Sequence, residues 1–499
     1  METTLTVAAW NERAAALHPQ AQAFIDGRYR PSASGETFPC INPATGGVLA
    51  GVAACAAPDV DAAVASARRA FESGAWSRMA PAARKRVLAN FAELLMEHRE
   101  ELALLETLDV GKPIADSMQV DIPGAARCIQ WYAEACDKVY DEVAPVPDNT
   151  LALVTREPVG VVGAIVPWNF PLLMACWKLG PALATGNSVV LKPSEKSPLT
   201  AIRVAALALD AGLPPGVLNV LPGFGHTAGE ALALHPDVDC VAFTGSTRIG
   251  KRMLEYSGRS NMKRVWLECG GKSPNIVFAD APDLDRVAEA AAAGIFFNQG
   301  EMCSAASRLV VHESVREALL EKICALAASY RPGDPLDPTT RLGALVDEQQ
   351  LRTVTGYIES GREEGARLCL GGDQVRRESG GYFVEPTVFD GVGPSMRIAQ
   401  EEIFGPVLSV LSFRDEAEAL AIANGVMYGL AAAVWTRDLA TAHRMSRRIR
   451  AGTVYVNCYD ADDITVPFGG FKQSGNGRDK SLHALDKYTE LKTTWMDLR

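Results

Sequence analysis

The chain has 499 residues, of which 48% are hydrophobic and 22% are charged, and its formal net charge is −11. This composition is ordinary for a folded globular protein and excludes a disordered or fibrous chain. The acidic balance argues against nucleic-acid binding, and no apolar run reaches the roughly 18 residues that a membrane span needs. No signal peptide is evident after Met1. We therefore expect no nucleic-acid partner, no membrane association and a cytoplasmic location.

The eleven cysteines include no Cys-x-x-Cys pair, and the seven histidines are scattered. Neither pattern fits a zinc or redox motif, so we predict no metal site. Most of these cysteines should be reduced and act as small core residues.

In chain order, residues 57–105 first show the spacing of two amphipathic helices. From residue 159, short β-branched runs alternate with helix-length segments, and the predicted strands are 159–166, 188–191, 217–221, 240–244 and 264–267. A second series follows residue 272, with predicted strands at 308–311, 367–370, 407–413, 431–435 and 453–456. Such alternation predicts two α/β units with parallel sheets, which bind ligands at the carboxyl ends of their strands.

Two further segments, 151–156 and 487–495, have the composition of isolated strands. An unpaired edge strand is a liability that pairing with another subunit removes. We therefore expect a homo-oligomer. The predicted division is a first α/β unit (1–139 and 160–271), a second α/β unit (272–470) and an arm that carries the two strand-like segments (140–159 and 471–499).

Polar segments after the predicted strands are the candidates for binding a nucleotide. Lys192 and Glu195 follow one strand, where a carboxylate can accept hydrogen bonds from ribose hydroxyls. Residues 245–252 open a predicted helix, whose N-terminus favours an anion. The P-loop pattern fails because Arg252 stands where Ser or Thr is needed, and Ala228 breaks the nearest Gly-x-Gly-x-x-Gly pattern. Each segment alone also fits an ordinary loop.

Three other segments could carry a reaction. Asn169, in an apolar loop, is a neutral donor suited to a developing oxyanion. Glu268, beside two glycines, could be a general base. Cys303 lies among small and polar residues, and a helix beginning there would lower the pKa of its thiol. A helix cap, a solvated acid and an inert buried thiol are the respective alternatives.

In this order, the segments resemble the aldehyde dehydrogenase superfamily. The matching motifs are VPWNFP (166–171), KPSE (192–195), FTGSTRIG (243–250), LECGGKSPNIVF (267–278), NQGEMCSA (298–305), EEIFGPV (401–407) and PFGGFKQSGNGR (467–478). The resemblance implies an α/β fold with a Rossmann-type dinucleotide-binding domain, a second α/β catalytic domain and a β-strand oligomerisation arm that gives a homodimer or homotetramer. It also implies oxidation of an aldehyde to its acid.

The resemblance further implies the role of each candidate residue. Cys303 would be the nucleophile, Asn169 with the Cys303 N–H would stabilise the oxyanion, and Glu268 would activate the water that hydrolyses a thioester. The implied cofactor is NAD, with NADP possible, and its contacts would be Trp168, Lys192, Ser194, Glu195, Gly245, Ser246, Thr247, Gly250, Gly270, Glu402 and Phe404. The Glu195 carboxylate should repel a 2′-phosphate and so favour NAD.

The substrate is expected to be a small aldehyde with a remote nitrogen. The chain is similar to bacterial dehydrogenases of γ-glutamyl-γ-aminobutyraldehyde, 4-guanidinobutyraldehyde and 4-aminobutyraldehyde, enzymes of putrescine or arginine breakdown. Segment 460–463 holds three acids in four residues, and acids near the substrate mouth would suit a cationic tail. Apolar side chains would line a tunnel. The candidates are Asp121, Asp462, Asp463, Phe170, Trp177 and Phe468. A solvated acidic loop away from the substrate is the alternative.

Other activities stay open beside this one. A broadly specific aldehyde dehydrogenase and a betaine-aldehyde-type dehydrogenase fit the same motifs. Transfer of the acyl group to coenzyme A is disfavoured, because such relatives typically lack the base found here as Glu268. The family's common leucine after that glutamate is replaced by Cys269, which suggests an oxidative link to Cys303.

Overall fold

The computed structural model describes residues 5–499. Its α-helices are α1 (Val7–Ala16), α2 (Ala57–Ser73), α3 (Pro81–Glu97), α4 (Arg99–Val110), α5 (Ile114–Asp116), α6 (Ile122–Ala135), α7 (Pro171–Ala184), α8 (Leu199–Asp210), α9 (Glu230–Leu234), α10 (Thr247–Arg259), α11 (Leu284–Phe296), α12 (Arg316–Ala327), α13 (Glu348–Glu363), α14 (Arg397–Gln400), α15 (Glu416–Asn424) and α16 (Leu439–Arg448). None of the helices within residues 5–499 is long and apolar enough to cross a bilayer.

The strands alternate with these helices over most of the chain. They are β1 (Ala23–Ile25), β2 (Arg28–Arg30), β3 (Thr37–Ile41), β4 (Val48–Ala53), β5 (Glu142–Val143), β6 (Thr150–Pro158), β7 (Val161–Ile165), β8 (Ser188–Lys192), β9 (Leu218–Val220), β10 (Cys240–Thr244), β11 (Arg264–Glu268), β12 (Pro274–Val277), β13 (Arg308–His312), β14 (Arg367–Leu370), β15 (Gln374–Val375), β16 (Phe383–Val384), β17 (Thr387–Asp390), β18 (Val407–Phe413), β19 (Ala431–Trp435), β20 (Thr453–Val456) and β21 (Thr489–Asp497). Short π-helical segments are Ser117–Asp121 and Gly225–Gly229, and short 3₁₀ segments are Phe297–Gly300, Glu313–Val315, Arg377–Ser379, Lys472–Ser474 and Leu482–Lys487.

The first seven-stranded sheet has the order β11-β10-β7-β8-β9-β1-β2. Its first five strands are parallel and match the predicted strands 159–267 to within a few residues at their ends. The sheet is buried on both faces, with α7 and α8 in the core cluster of one side and α2 and α10 in that of the other. The parallel α/β unit predicted for this part of the chain is confirmed.

The antiparallel hairpin β1-β2 was not predicted, although its sequence carries a signal. Asp26 and Gly27 join the strands with φ angles of 56° and 73°. An Asp-Gly pair with two positive φ angles is typical of a tight type I′ hairpin turn.

The second seven-stranded sheet has the order β14-β17-β18-β13-β12-β19-β20. All five predicted strands of the second series are present, and β12 and β17 are additional. The change from one sheet to the other falls between Glu268 and Pro274, close to the predicted domain boundary at residue 271. The exact domain limits stay a prediction.

The two predicted arm segments form a third sheet. β6 and β21 pair antiparallel over nine residues, from Thr150 against Asp497 to Pro158 against Thr489. They therefore pair with each other within the chain, whereas the sequence predicted isolated strands that pair with another subunit. Gly475 forms a β-bridge with Glu268, and Asp479 forms ion pairs with both Lys487 and Lys178 of α7. The part of the predicted arm around residues 475–487 therefore lies against the first unit.

Candidate active site

One cavity of about 810 Å³ lies at the carboxyl ends of the parallel strands. The loops after β7, β10 and β11 line one wall, and segments of the second unit around Cys303 and Glu402 line the other. Ligands of open α/β sheets bind at this edge. The folding of the two units thus brings the predicted reactive residues Asn169, Glu268 and Cys303 into a single cavity.

Cys303 is half-buried in a loop that is held from several sides. The preceding residues Asn298 and Gln299 have φ angles of 47° and 57°, and the Gln299 side chain accepts a hydrogen bond from the Gly343 N–H at 3.0 Å. Across the loop, a Cβ atom on Gly271 would lie 2.4 Å from the Cys303 carbonyl oxygen. Glycine is therefore required where the loop passes β11.

No helix begins at Cys303, because residues 301–307 are irregular. The lowered pKa that a helix N-terminus would give this thiol is therefore not found. Burial raises the pKa of Cys303, and the neighbouring charges of Glu402, Glu268 and Asp460 raise it further. The thiol is protonated at neutral pH in this cavity and needs a base when it reacts.

Asn169 is buried beside this loop and is fixed by two hydrogen bonds. Its Nδ2 donates to the Glu301 backbone carbonyl at 2.7 Å, and the backbone carbonyl of Asn169 accepts a hydrogen bond from Asn298 Nδ2 at 3.1 Å. Within residues 5–499 the Asn169 Nδ2 makes that one bond, so its second N–H is available at the cavity. A fixed neutral donor beside a nucleophile suits an oxyanion.

Glu268 ends β11 with its side chain buried, and neither carboxylate oxygen has a hydrogen-bond partner within residues 5–499. Burial raises the pKa of Glu268 well above its usual range, and the charge of Asp479 adds to this effect, while Lys178 and Lys487 oppose it. Asp479 itself is buried in ion pairs with both of these lysines. An unpaired carboxyl with a raised pKa in a cavity has the properties of a general base.

At the other end, several predicted cofactor contacts line the cavity. Ser246 caps α10, its Oγ accepting from the Ile249 N–H at 3.4 Å, so the helix N-terminus faces the cavity as an anion site would. Thr244 Oγ1 beside it is buried without a hydrogen-bond partner among the described residues. The indole of Trp168 packs edge-on against Phe404 at 5.1 Å between ring centroids.

Glu402 completes this end of the cavity. It accepts a hydrogen bond from the Gly271 N–H at 3.1 Å, and a Cβ on Gly270 would lie only 1.9 Å from its Oε2. Burial raises the pKa of Glu402 to about 7. Together these features fit a dinucleotide: a helix N-terminus, a hydroxyl without a hydrogen-bond partner, a carboxylate close to a glycine and a pair of aromatic rings.

Most of the remaining predicted cofactor contacts lie outside the cavity lining. Lys192 ends β8 and pairs with Glu195 at 3.0 Å, beside Ser194. Thr247 donates to the Gln473 carbonyl at 3.0 Å. Gly250 packs α10 onto β11, since a Cβ there would lie 2.9 Å from Cys269 Sγ. Gly245, by contrast, lies in the lining.

The substrate end of the cavity is aromatic. Phe170, Trp177 and Phe468 line it as predicted, and the last two rings pack at 5.3 Å between centroids. Phe297, Tyr455 and Tyr459 also line it and were not predicted. Phe297 directly precedes the motif at 298–305, and Tyr459 precedes the acidic segment 460–463.

The structure does not support two of the three acids predicted as substrate anchors, and it changes the third. Asp121 is fully buried outside the cavity in an ion pair with Lys112 at 2.8 Å. Asp463 is exposed outside the lining and accepts a hydrogen bond from the Thr465 N–H at 2.8 Å. Asp462 lines the cavity, but Lys480 neutralises its charge in an ion pair.

Other charged residues line the cavity in their place. Asp116 and Asp460 have no ion pair or side-chain hydrogen bond within the described part of the chain, and Arg341 is also in the lining. Burial raises the pKa of Asp116 to about 7 and the pKa of Asp460 to about 6. The acidic character predicted for the substrate end is thus present on Asp460, which belongs to the predicted acidic segment 460–463, and on Asp116, which was not predicted.

The comparison with protein families decides the identity. Residues 29–494 match the model of the aldehyde dehydrogenase family. The chain belongs to the aldehyde dehydrogenase family. The fold and the enzyme class that the motifs implied are therefore confirmed.

Individual aldehyde dehydrogenases are similar over almost the whole chain. The NADP/NAD-dependent aldehyde dehydrogenase PuuC of Escherichia coli is 57% identical over 99% of both chains. A solved structure of a cysteine-to-alanine variant of the P. syringae indole-3-acetaldehyde dehydrogenase AldA, in complex with NAD+ and IAA, is 65% identical, covers 99% of this chain and 100% of its own, and has a TM-score of 0.99. The γ-glutamyl-γ-aminobutyraldehyde dehydrogenase of Burkholderia cenocepacia is 62% identical, with the same coverage and a TM-score of 0.98. A nicotinamide cofactor is thus confirmed for the family to which the chain belongs.

Proposed function

We propose that this aldehyde dehydrogenase oxidises ω-aminobutyraldehydes, whose remote nitrogen is a γ-glutamylamino, guanidino or amino group, to carboxylic acids in putrescine or arginine breakdown. The proposed cofactor is NAD+, with NADP+ possible. The observation that carries the proposal is one cavity that joins Cys303, Asn169 and Glu268 to an aromatic channel with the unpaired carboxylates Asp116 and Asp460. The names of PuuC and the Burkholderia relative support the choice of substrate.

The residues of the cavity divide the reaction between them. The Cys303 thiol loses its proton to solvent water, and its sulfur bonds the aldehyde carbon. The Asn169 side-chain N–H and the Cys303 backbone N–H stabilise the oxyanion. Bound nicotinamide supplies the acceptor for the hydride. Glu268 takes a proton from the water that hydrolyses the Cys303 thioester and passes it to the leaving sulfur, which releases the acid and restores the thiol.

The proposed cofactor contacts rest on the family motifs, and those that line the cavity support them. Ser246 at the start of α10, with Trp168, would bind the pyrophosphate, and Glu402 with Phe404 would hold the nicotinamide end. Lys192 and Glu195 would bind the adenosine ribose, with Ser194, Gly245, Thr247, Gly250 and Gly270 shaping the backbone around the dinucleotide. The 3.0 Å Lys192–Glu195 ion pair supports a preference for NAD+, because it leaves less positive charge for a 2′-phosphate.

The assembly and the compartment are also proposals. A homodimer or homotetramer is supported by β21, an edge strand that exposes Leu491 and Trp495 to 61% and 64%. The cytoplasm is supported by the eleven cysteines, all unpaired in the described chain.

Oxidation of aromatic aldehydes is a second candidate. The many rings around the cavity favour it, as does the 65% identity to an indole-3-acetaldehyde dehydrogenase. This alternative needs no charge at the substrate end.

A panel of aldehydes that differ only in the remote group separates the two. NADH formation would be measured with 4-guanidinobutanal, γ-glutamyl-4-aminobutanal, indole-3-acetaldehyde and butanal, with Cys303→Ala as the inactive control. We expect kcat/KM for the nitrogenous butanals to exceed that for butanal by about fivefold or more, the value of one solvent-screened charge contact. Highest kcat/KM with indole-3-acetaldehyde would support the aromatic alternative and overturn the proposal.

A further inference from the structure

Two side chains of opposite charge line the same part of the cavity without pairing with each other. Asp116 ends α5, and Arg341 lies in the segment between α12 and α13. The Ile114 N–H donates to the Pro335 carbonyl at 2.8 Å, which ties the two segments together. Burial raises the pKa of Asp116, and the charges of Lys112 and Arg341 lower it, yet the Asp116 carboxyl has no ion pair or hydrogen bond within residues 5–499.

The arginine is held in a fixed orientation. Its guanidinium carbon lies 3.9 Å from the centroid of the Tyr330 ring, and its Nη1 donates to Ser329 Oγ at 2.9 Å. A guanidinium carries five N–H donors, so the stacked group keeps several for a carboxylate, which it can bind with two parallel hydrogen bonds.

The carboxylate of Asp116 lacks a partner of its own. The nearest cation along the chain, Lys112, is buried in its ion pair with Asp121 at 2.8 Å. A half-buried carboxyl without a partner gains from contact with an ammonium group.

These two residues line the cavity on segments other than the one that carries the reacting sulfur. Asp116 ends α5 and Arg341 precedes α13, whereas Cys303 lies in the loop before β13. A ligand that contacts both Cys303 and the Asp116–Arg341 pair must therefore reach across the cavity that they share.

We propose that Asp116 and Arg341 recognise the α-amino acid head group of a γ-glutamylated aminoaldehyde, Asp116 binding its ammonium group and Arg341 its carboxylate. This inference rests on the proposed function and selects one of its substrates. A simple cationic tail would meet attraction from Asp116 and repulsion from Arg341, whereas a zwitterion satisfies both. Selectivity for the zwitterion thus comes from an attractive and a repulsive contact together.

The test compares three butanals that differ in remote charge: γ-glutamyl-4-aminobutanal, 4-(trimethylammonio)butanal and butanal. We expect Arg341→Gln to lower kcat/KM for the γ-glutamyl substrate about fivefold, through KM, and to leave the other two unchanged or improve the cation. Asp116→Asn should lower kcat/KM for both charged substrates and not for butanal. The matched control is Asp463→Asn, which removes an exposed charge outside the cavity.

A binding measurement adds a readout that does not depend on turnover. In the Cys303→Ala background, calorimetry with γ-glutamyl-4-aminobutanoate should show a weaker Kd with either Arg341→Gln or Asp116→Asn. Equal losses for all three aldehydes, or an unchanged Kd, would overturn this inference while the proposed function stands. A wild-type enzyme that oxidises no aminoaldehyde would overturn both.

Discussion

Among single residues, Cys303 is the one whose surroundings most affect the reaction. Burial raises the pKa of its thiol, and the neighbouring Glu402, Glu268 and Asp460 raise it further. The nucleophile of the free enzyme is therefore held as a thiol, and its thiolate fraction grows with pH.

Alkylation of the cofactor-free enzyme tests this view. We expect the rate at which iodoacetamide modifies Cys303 to rise roughly tenfold per pH unit from pH 6 to pH 9, because the thiolate is the reacting species. Mass spectrometry of the Cys303 peptide measures this rate, and Cys303→Ser identifies the background. A rate that is already constant at neutral pH would show that the thiol has a low pKa instead.

The sequence predicted residues whose role depends on their place after a strand, and it was less reliable for residues whose role depends on a partner. Asn169 and Glu268 meet Cys303 because strand ends of a parallel sheet share one edge. Asp121 and Asp462 were proposed as free charges, but Lys112 and Lys480 pair with them in the fold. Only the three-dimensional structure shows which acids remain unpaired.

At the scale of elements, the turn after β11 determines where the nucleophile loop can lie. Gly271 contacts the backbone of Cys303, and its N–H also holds Glu402. One glycine therefore positions the residues at both the reacting and the cofactor ends.

The substitution Gly271→Ala should lower kcat about 100-fold, since the new methyl group must displace the Cys303 carbonyl by about 1 Å. Steady-state kinetics and the melting temperature would be measured together. The matched control is Gly258→Ala in α10, where a Cβ has open space, and it should keep full activity. Equal activity of the two variants would refute the role assigned to Gly271.

Longer elements were predicted better than short ones. The strands of 407–413 and 431–435 were found at their full length, because continuous apolar runs mark buried parallel strands. β12 and β17, of four residues each, carry too little pattern to be separated from loops. The helical stretch 57–105 divides into three helices, since the chain breaks again at His98 between α3 and α4.

In the whole molecule, the third sheet has an exposed edge strand with apolar side chains. β21 pairs with β6 on one side only, and it exposes Leu491, Trp495 and Met496. Exposed apolar edge strands are sites of association between chains.

Placing charges on this edge should break the proposed assembly. We expect the double substitution of Leu491→Lys and Trp495→Lys to reduce the molar mass in light scattering to that of a smaller species. Leu439→Lys, at an exposed apolar position 82% accessible and outside this sheet, should leave the mass unchanged. An unaltered mass of the double variant would place the subunit interface elsewhere.

In the proposed reaction Cys303 carries the acyl group, and Glu268 is needed to release it. A single-turnover reaction of Glu268→Gln with NAD+ and 4-guanidinobutanal tests both roles, with NADH formation and the mass of the Cys303 peptide as readouts. We expect one burst of NADH per active site and a peptide heavier by the aldehyde less two hydrogens. NADH formation with an unmodified Cys303 peptide throughout the burst would show that Cys303 does not carry the acyl group.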